Sequence, residues 1–92
     1  VIDVVCQFYA LDREELIGKI REKKISLPRQ VIMYLMREEL KMSYPSIGDE
    51  LGGRDHTTAM HAHGKVRNEI ENDLKLRQDI DLLRQRFYVN NV

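Results

Sequence analysis

The residues best suited to chemistry in this 92-residue chain follow one another in the run Asp55, His56, Thr57 and Thr58. They supply a carboxylate, an imidazole and two hydroxyl groups that each carry a methyl neighbour, and all form directional hydrogen bonds. Such side chains match the donors, acceptors and thymine methyl groups that double-stranded DNA displays in its major groove. A helix is predicted to begin here, and its first backbone N–H groups favour phosphate.

The helix that begins after Asp55 is predicted over about residues 56–71 and has two distinct faces. At about 100° per residue, the apolar face that we expect to pack into the core consists of Ala59, Ala62, Val66 and Ile70. The opposite face, which we expect to meet solvent, consists of Thr57, Thr58, His61 and Lys65. A recognition helix places such residues against base edges and phosphates. An ordinary solvated surface helix is also compatible with this pattern alone.

The three histidines lack the spacing of a metal site. Helical ligand pairs lie four residues apart, whereas His56 and His61 are five apart and His61 and His63 are two apart. His56 and His63 share a face but are separated by about 10.5 Å along the helix axis. The chain also has no nucleophile elbow, Walker loop or spaced carboxylate pair. We therefore predict no metal site, no catalytic residue and no enzyme activity.

The elements that must position these residues are predicted to be helices only, because helical periodicity dominates and no alternating strand pattern is sustained. Further helices are predicted over about residues 2–9, 13–19, 28–40, 44–51 and 74–88. Residues 21–27 are predicted to form a basic loop. Ile20 is expected to face inward. The expected fold is a small all-α domain.

Helix boundaries are predicted from capping residues. Asp12 and Glu15 have the spacing of a capping box, and Pro28 suits the first turn of a helix. Ser43 can cap a short helix with Pro45 in its first turn. Gly52-Gly53 then provides a turn before the helix that Asp55 caps. This order of short helix, glycine turn and longer helix indicates a helix-turn-helix.

Charge is distributed unevenly although the net charge is zero. Seven basic and three acidic residues lie between Lys19 and Lys41, whereas five acidic and two basic residues lie between Glu69 and Asp81. A fold with this asymmetry can present a positive face to nucleic acid. The acidic last helix leaves a second hypothesis open, a helical module that docks a basic protein partner. A solvated face is the plainer interpretation of the acidic run.

The start of the chain, its apolar runs and its single cysteine indicate the cellular compartment. Val1-Ile2-Asp3-Val4-Val5 has no signal-peptide pattern, and we expect it to be a cut inside a larger protein. No run reaches the roughly 18 apolar residues of a membrane span. Cys6, the one cysteine, is expected to be a small buried residue. It can form no internal disulfide, which favours a reducing, cytoplasmic setting.

Three segments together resemble the C-terminal DNA-binding domain of the DnaA family of bacterial replication initiators. The most specific is the run Gly52-Gly53-Arg54-Asp55-His56-Thr57-Thr58-Ala59-Met60-His61-Ala62, which is similar to the family signature. The other two are Pro28-Arg29-Gln30-Val31-Ile32-Met33-Tyr34-Leu35 and Pro45-Ser46-Ile47-Gly48. The resemblance covers about residues 9–70. Departures from the family pattern occur at Glu22, Leu27, Ala59 and Gly64.

The resemblance implies a Trp-repressor-like helix-turn-helix that binds double-stranded DNA boxes of the TTATnCACA kind at a replication origin, one monomer per box. Residues implied to read bases are Asp55, His56, Thr57 and Thr58 in the major groove and Arg21 in the minor groove. Residues implied to contact the DNA backbone are Arg29, Gln30, Arg37, Pro45, His61 and Lys65.

The resemblance also implies a domain organisation. Residues 1–10 would end a linker helix from an ATPase module that this chain lacks, and residues 11–92 would form the DNA-binding domain. The chain is accordingly expected to use no cofactor, since ATP and magnesium belong to the absent module. A regulatory protein partner is an additional possibility that the linker end raises.

Overall fold

The computed structural model describes residues 1–18 and 23–90 of the chain. These residues contain six α-helices and no β-strand. The helices are α1 (Ile2–Tyr9), α2 (Arg13–Ile17), α3 (Lys23–Leu40), α4 (Tyr44–Glu50), α5 (His56–Glu69) and α6 (Leu74–Asn90). The all-α prediction is therefore confirmed. Among the described residues, no helix is both long enough and apolar enough to cross a membrane.

The first two helices follow their predicted caps. The backbone N–H of Asp12 donates to Glu15 Oε1 at 3.1 Å, as the capping box predicts. α2 is two residues shorter than predicted because Gly18 leaves the helical conformation, with φ −77° and ψ −176°. The inward position predicted for Ile20 and the early part of the predicted basic loop lie outside the described residues.

The start of α3 corrects the prediction. Residues 23–27 are helical, so Pro28 lies inside α3 and not in its first turn. Pro28 cannot donate a backbone hydrogen bond, which usually disfavours an interior position. Ile25 offsets that loss because its side chain is buried, at 1% exposure, and anchors the additional turn in the core.

The helix-turn-helix forms as its turn residues predict. Ser43 Oγ accepts from the backbone N–H of Ser46 at 3.2 Å and caps α4. Gly52 and Gly53 have φ values of 83° and 75°, which residues with a side chain rarely adopt. The carboxylate of Asp55 accepts from the backbone N–H of Thr57 at 3.4 Å and caps α5.

The core lies between all six helices, and α3 contributes the most residues to it. Side chains with no exposed surface include Val5, Leu16, Val31, Ile32, Ile47, Leu51, Ala59, Val66 and Leu83. α1 belongs to this core through Ile2 and Val5. α6 is joined to α3 by Glu39, which accepts hydrogen bonds from Arg84 and from the Tyr88 hydroxyl.

Candidate nucleic-acid interface

The first turn of α5 presents Asp55, His56 and Thr58 at the surface, while Thr57 is partly buried. The Oδ1 atom of Asp55 meets His56 Nδ1 at 3.0 Å as well as capping the helix. If His56 is neutral and donates through Nδ1, its Nε2 atom is an acceptor. A carboxylate, an imidazole and a hydroxyl thus stand at one helix end with their backbone already ordered, which suits hydrogen bonding to base edges.

The faces of α5 are as predicted except at Thr57, which was expected to face solvent and is partly buried. Ala59, Ala62 and Val66 are buried, and Ile70 packs against the core. His61 and Lys65 are exposed. An open groove runs between α3, the glycine turn and α5, and the residues that line it include Ser26, Arg29, Gln30, Gly52, Gly53, Arg54, Thr58, His61 and Lys65. Three of the predicted contact residues of α5 therefore share one concave surface with two from α3.

Two predicted backbone contacts lie near the start of α4. Pro45 is exposed in its first turn. Arg37 is partly buried, donates to the carbonyl oxygen of Met42 at 2.9 Å, and lies 4.3 Å from the centre of the Tyr44 ring. The ring and the carbonyl hold the guanidinium beside this helix end, and cation–π geometry stabilises it there.

The residues at the other end of α3 occupy different environments. Gln30 is partly buried, whereas Arg29 is only 8% exposed. The Arg29 guanidinium donates to the carbonyl oxygens of Leu16, Glu15 and Gly18, at 2.7, 3.2 and 3.1 Å. Burial lowers the pKa of Arg29 from its usual value, and the nearby charge of Arg54 lowers it further. The Nε and Nη2 donors of Arg29 are thus directed at backbone carbonyl oxygens of α2 and of Gly18, while the residue also lines the groove.

Arg21, the residue predicted to read the minor groove, lies outside the described residues. The segment that contains it is bounded by Gly18, at the end of α2, and by Lys23, the first residue of α3. The structure therefore describes both attachment points of this segment.

Arg54 is a residue whose environment sequence reasoning missed. Its guanidinium donates to the carbonyl oxygens of Ile17, Leu51 and Gly18, with the first bond at 3.2 Å. Burial lowers the pKa of this guanidinium. Two of these acceptors lie 36 and 37 residues away in sequence, so no local pattern indicates the contacts.

His63 forms a polar cluster behind the exposed face of α5. Its Nε2 atom lies 2.8 Å from Glu38 Oε1, and its Nδ1 atom lies 3.3 Å from the Tyr44 hydroxyl. The ring also stacks on Tyr34, with centroids 5.5 Å apart. These contacts attach α5 to α3 and α4 and so fix its orientation. On the helical wheel His63 falls beside Ile70, at the edge of the apolar face. This position is the sequence signal that indicates its burial.

The described residues contain no group of three or more His, Cys, Asp or Glu side chains that could hold a metal ion. Cys6 is partly buried, and burial raises the pKa of its thiol.

Comparison with known proteins gives a consistent result. Residues 1–66 match the family model described as the bacterial dnaA protein helix-turn-helix. The chain is 48% identical over 87 residues to the chromosomal replication initiator protein DnaA of Herpetosiphon aurantiacus, covering 95% of this chain and 18% of that protein. It is 47% identical over 88 residues to the DnaA of Thermomicrobium roseum, covering 96% and 19%. The chain thus spans about a fifth of the length of the curated relatives it matches.

Proposed function

Because the chain belongs to the bacterial DnaA family through its helix-turn-helix, we propose that it binds double-stranded DNA sequence-specifically, at boxes of the TTATnCACA kind, during initiation of chromosomal replication. One monomer would bind each box, at the nucleoid, without a cofactor. The observation that carries the proposal is the exposed, capped start of α5 beside the groove shared with α3.

The residues fall into two proposed roles. Asp55, His56, Thr57 and Thr58 would read base edges in the major groove, because they occupy the first turn of α5. Gln30, Arg37, Pro45, His61 and Lys65 would contact the DNA backbone. They approach it from three helices, and contacts of this kind fix the register of the protein without carrying sequence information.

The remaining two predicted contact residues are Arg21 and Arg29. We keep Arg21 as the proposed minor-groove contact, which the resemblance to the DnaA family implies. We keep Arg29 as a proposed DNA backbone contact and assign it a positioning role as well, because its Nε and Nη2 donors bond to three carbonyl oxygens.

The two proposed roles on α5 are tested by paired substitutions. Thr58→Ala and His56→Ala should each weaken binding to a TTATCCACA duplex by about 1–3 kcal/mol and barely affect a scrambled duplex. Lys65→Ala should weaken both duplexes alike and reduce the slope of log K against log salt by about 1. Fluorescence anisotropy of labelled duplexes measures all three effects.

A matched control is Asn68→Ala, an exposed residue near the far end of α5. It should leave both affinities unchanged. Equal losses from the three test substitutions on both duplexes would contradict the assignment of base reading to the first turn of α5. A specific protein partner bound in preference to either duplex would favour the protein-docking hypothesis.

A further inference from the structure

We infer that Arg29 and Arg54 form a carbonyl clasp, two guanidinium groups on the carboxyl end of α2, that positions both sides of the DNA-binding groove, and that Arg54 acts by positioning and not by contacting phosphate. The inference rests on the proposed function, since it concerns how that interface is held in shape. It assigns to Arg54, a residue beside the base-reading run, a positioning role.

The clasp gathers residues that are far apart in sequence. Arg29, on α3, donates to the carbonyl oxygens of Glu15, Leu16 and Gly18. Arg54, directly before the α5 cap, donates to those of Ile17 and Gly18. Every residue from 15 to 18 thus has its carbonyl oxygen bonded to one of the two guanidiniums, and that of Gly18 is bonded to both.

The chemistry of a helix end explains the use of arginine. The last carbonyl groups of a helix lack intrahelical partners and carry partial negative charge. A guanidinium offers five donors in a planar fork and can serve several carbonyl oxygens at once, which an ammonium on a flexible stem cannot do in the same geometry. Arg54 also donates to Leu51 within the turn, so the same side chain ties the turn to α2.

The glycine turn provides a second, independent contact at the same place. A Cβ atom added to Gly52 would lie 2.3 Å from the carbonyl oxygen of Ile17, far inside van der Waals contact. A Cβ atom added to Gly53 would meet no atom within 4 Å. The backbone of the turn therefore rests directly on the end of α2 at Gly52 and not at Gly53.

The geometric consequence concerns the two sides of the groove. The clasp ties the end of α2 to α3 and to the residue before the α5 cap. Proposed contacts of the minor groove through Arg21 and of the major groove through Thr58 must be made together for tight binding. Holding their supports at a fixed spacing before DNA arrives lowers the ordering cost of binding.

The direct test substitutes Arg54. Arg54→Ala should weaken binding to the TTATCCACA duplex by about tenfold or more, which is the effect of a loss of about 1.4 kcal/mol. Binding to the scrambled duplex should change much less. The slope of log K against log salt should stay at the wild-type value, because no phosphate contact is removed. Arg54→Lys should show the same pattern with a smaller loss.

The two glycines give a control matched in backbone strain. Gly52→Ala and Gly53→Ala each place a side chain at a positive φ, of 83° and 75°. Only Gly52→Ala pushes on Ile17, so it should reduce box affinity in the same salt-independent way as Arg54→Ala, and Gly53→Ala should reduce it clearly less. Because this pair leaves both arginines in place, it tests the clasp even where Arg54→Ala fails to fold.

Affinities are measured below the melting temperature, with circular dichroism to verify that each variant is folded. Three outcomes would overturn the inference. The first is a salt slope that Arg54→Ala lowers by about 1 with equal losses on both duplexes, which would make Arg54 a phosphate contact. The second is a lower Tm of Arg54→Ala with unchanged box affinity, and the third is an equal effect of the two glycine substitutions on box affinity. A wild-type chain that fails to prefer the box would instead refute the proposed function itself.

Discussion

At the scale of single residues, α5 shows what its sequence does and does not predict. The buried Ala59, Ala62 and Val66 and the exposed His61 and Lys65 follow from helical periodicity, because the inner and outer faces of one helix are a local property. The burial of Arg29 and the contacts of Arg54 do not follow, because their partners are carbonyl oxygens of another helix. Every residue has a backbone carbonyl oxygen, so the residue types do not indicate which of these acceptors an arginine will contact.

Two helical glycines should respond to substitution in opposite directions. Gly64 lies inside α5, and a Cβ atom there would meet nothing within 4 Å. Gly64→Ala should therefore raise the free energy of unfolding by about 1 kcal/mol, through helix propensity alone. Gly48 lies in α4, and a Cβ atom there would lie 2.1 Å from the carbonyl oxygen of Arg54. Gly48→Ala should lower the free energy of unfolding by about 2 kcal/mol, because backbone must move.

Urea denaturation of the two glycine variants beside the wild-type chain measures both changes. A destabilised Gly64→Ala variant would show that α5 tolerates no added side chain at that position. A Gly48→Ala variant as stable as wild type would contradict the close approach of α4 to the residue before the α5 cap.

At the scale of elements, the helix order and the turn were predictable and the start of α3 was not. The glycine turn and the Ser43 and Asp55 caps have local signatures, and the structure confirms each of them. The helical turn before Pro28 depends on burial of Ile25, a tertiary effect that overrides the local preference of proline. His63, at the edge of the apolar wheel face, likewise acquires its role from Glu38 and Tyr44 on other helices.

The attachment of α6 to α3 should weaken in acid. The hydrogen bond from Tyr88 lowers the pKa of Glu39, and the bond from Arg84 lowers it further. A carboxyl group whose pKa is lowered in the folded state stabilises the fold at pH values above its pKa in the unfolded chain. That contribution is lost as the pH falls through the lowered pKa of the folded state. Glu39→Gln should therefore cost about 1–2 kcal/mol at pH 7 and progressively less below about pH 4.5.

Thermal or urea unfolding across pH 2–8, with the exposed Glu71→Gln as control, measures the acid effect. The control should follow the wild-type curve. If the free energy of unfolding of Glu39→Gln stays below that of wild type by the same amount at every pH, the side chain acts through packing and not through its charge.

At the scale of the whole molecule, a chain with zero net charge carries a candidate DNA interface because its charge is unevenly placed. The basic part of the sequence supplies α3 and the segment before it, and the acidic part supplies the end of α5 and about the first half of α6. Local charge, not the total, determines the attraction to phosphate. The order of charges along the chain is visible in the sequence, but that Arg29, Arg54 and Lys65 line one groove follows from the helix packing.

The most direct test of the central claim, sequence-specific DNA binding through the start of α5, is anisotropy of a labelled TTATCCACA duplex against a scrambled duplex at two salt concentrations. The account predicts that the box binds about 10³-fold or more tightly than the scramble and that both affinities fall with salt. Equal affinity for the two duplexes, or no binding to either, would contradict it.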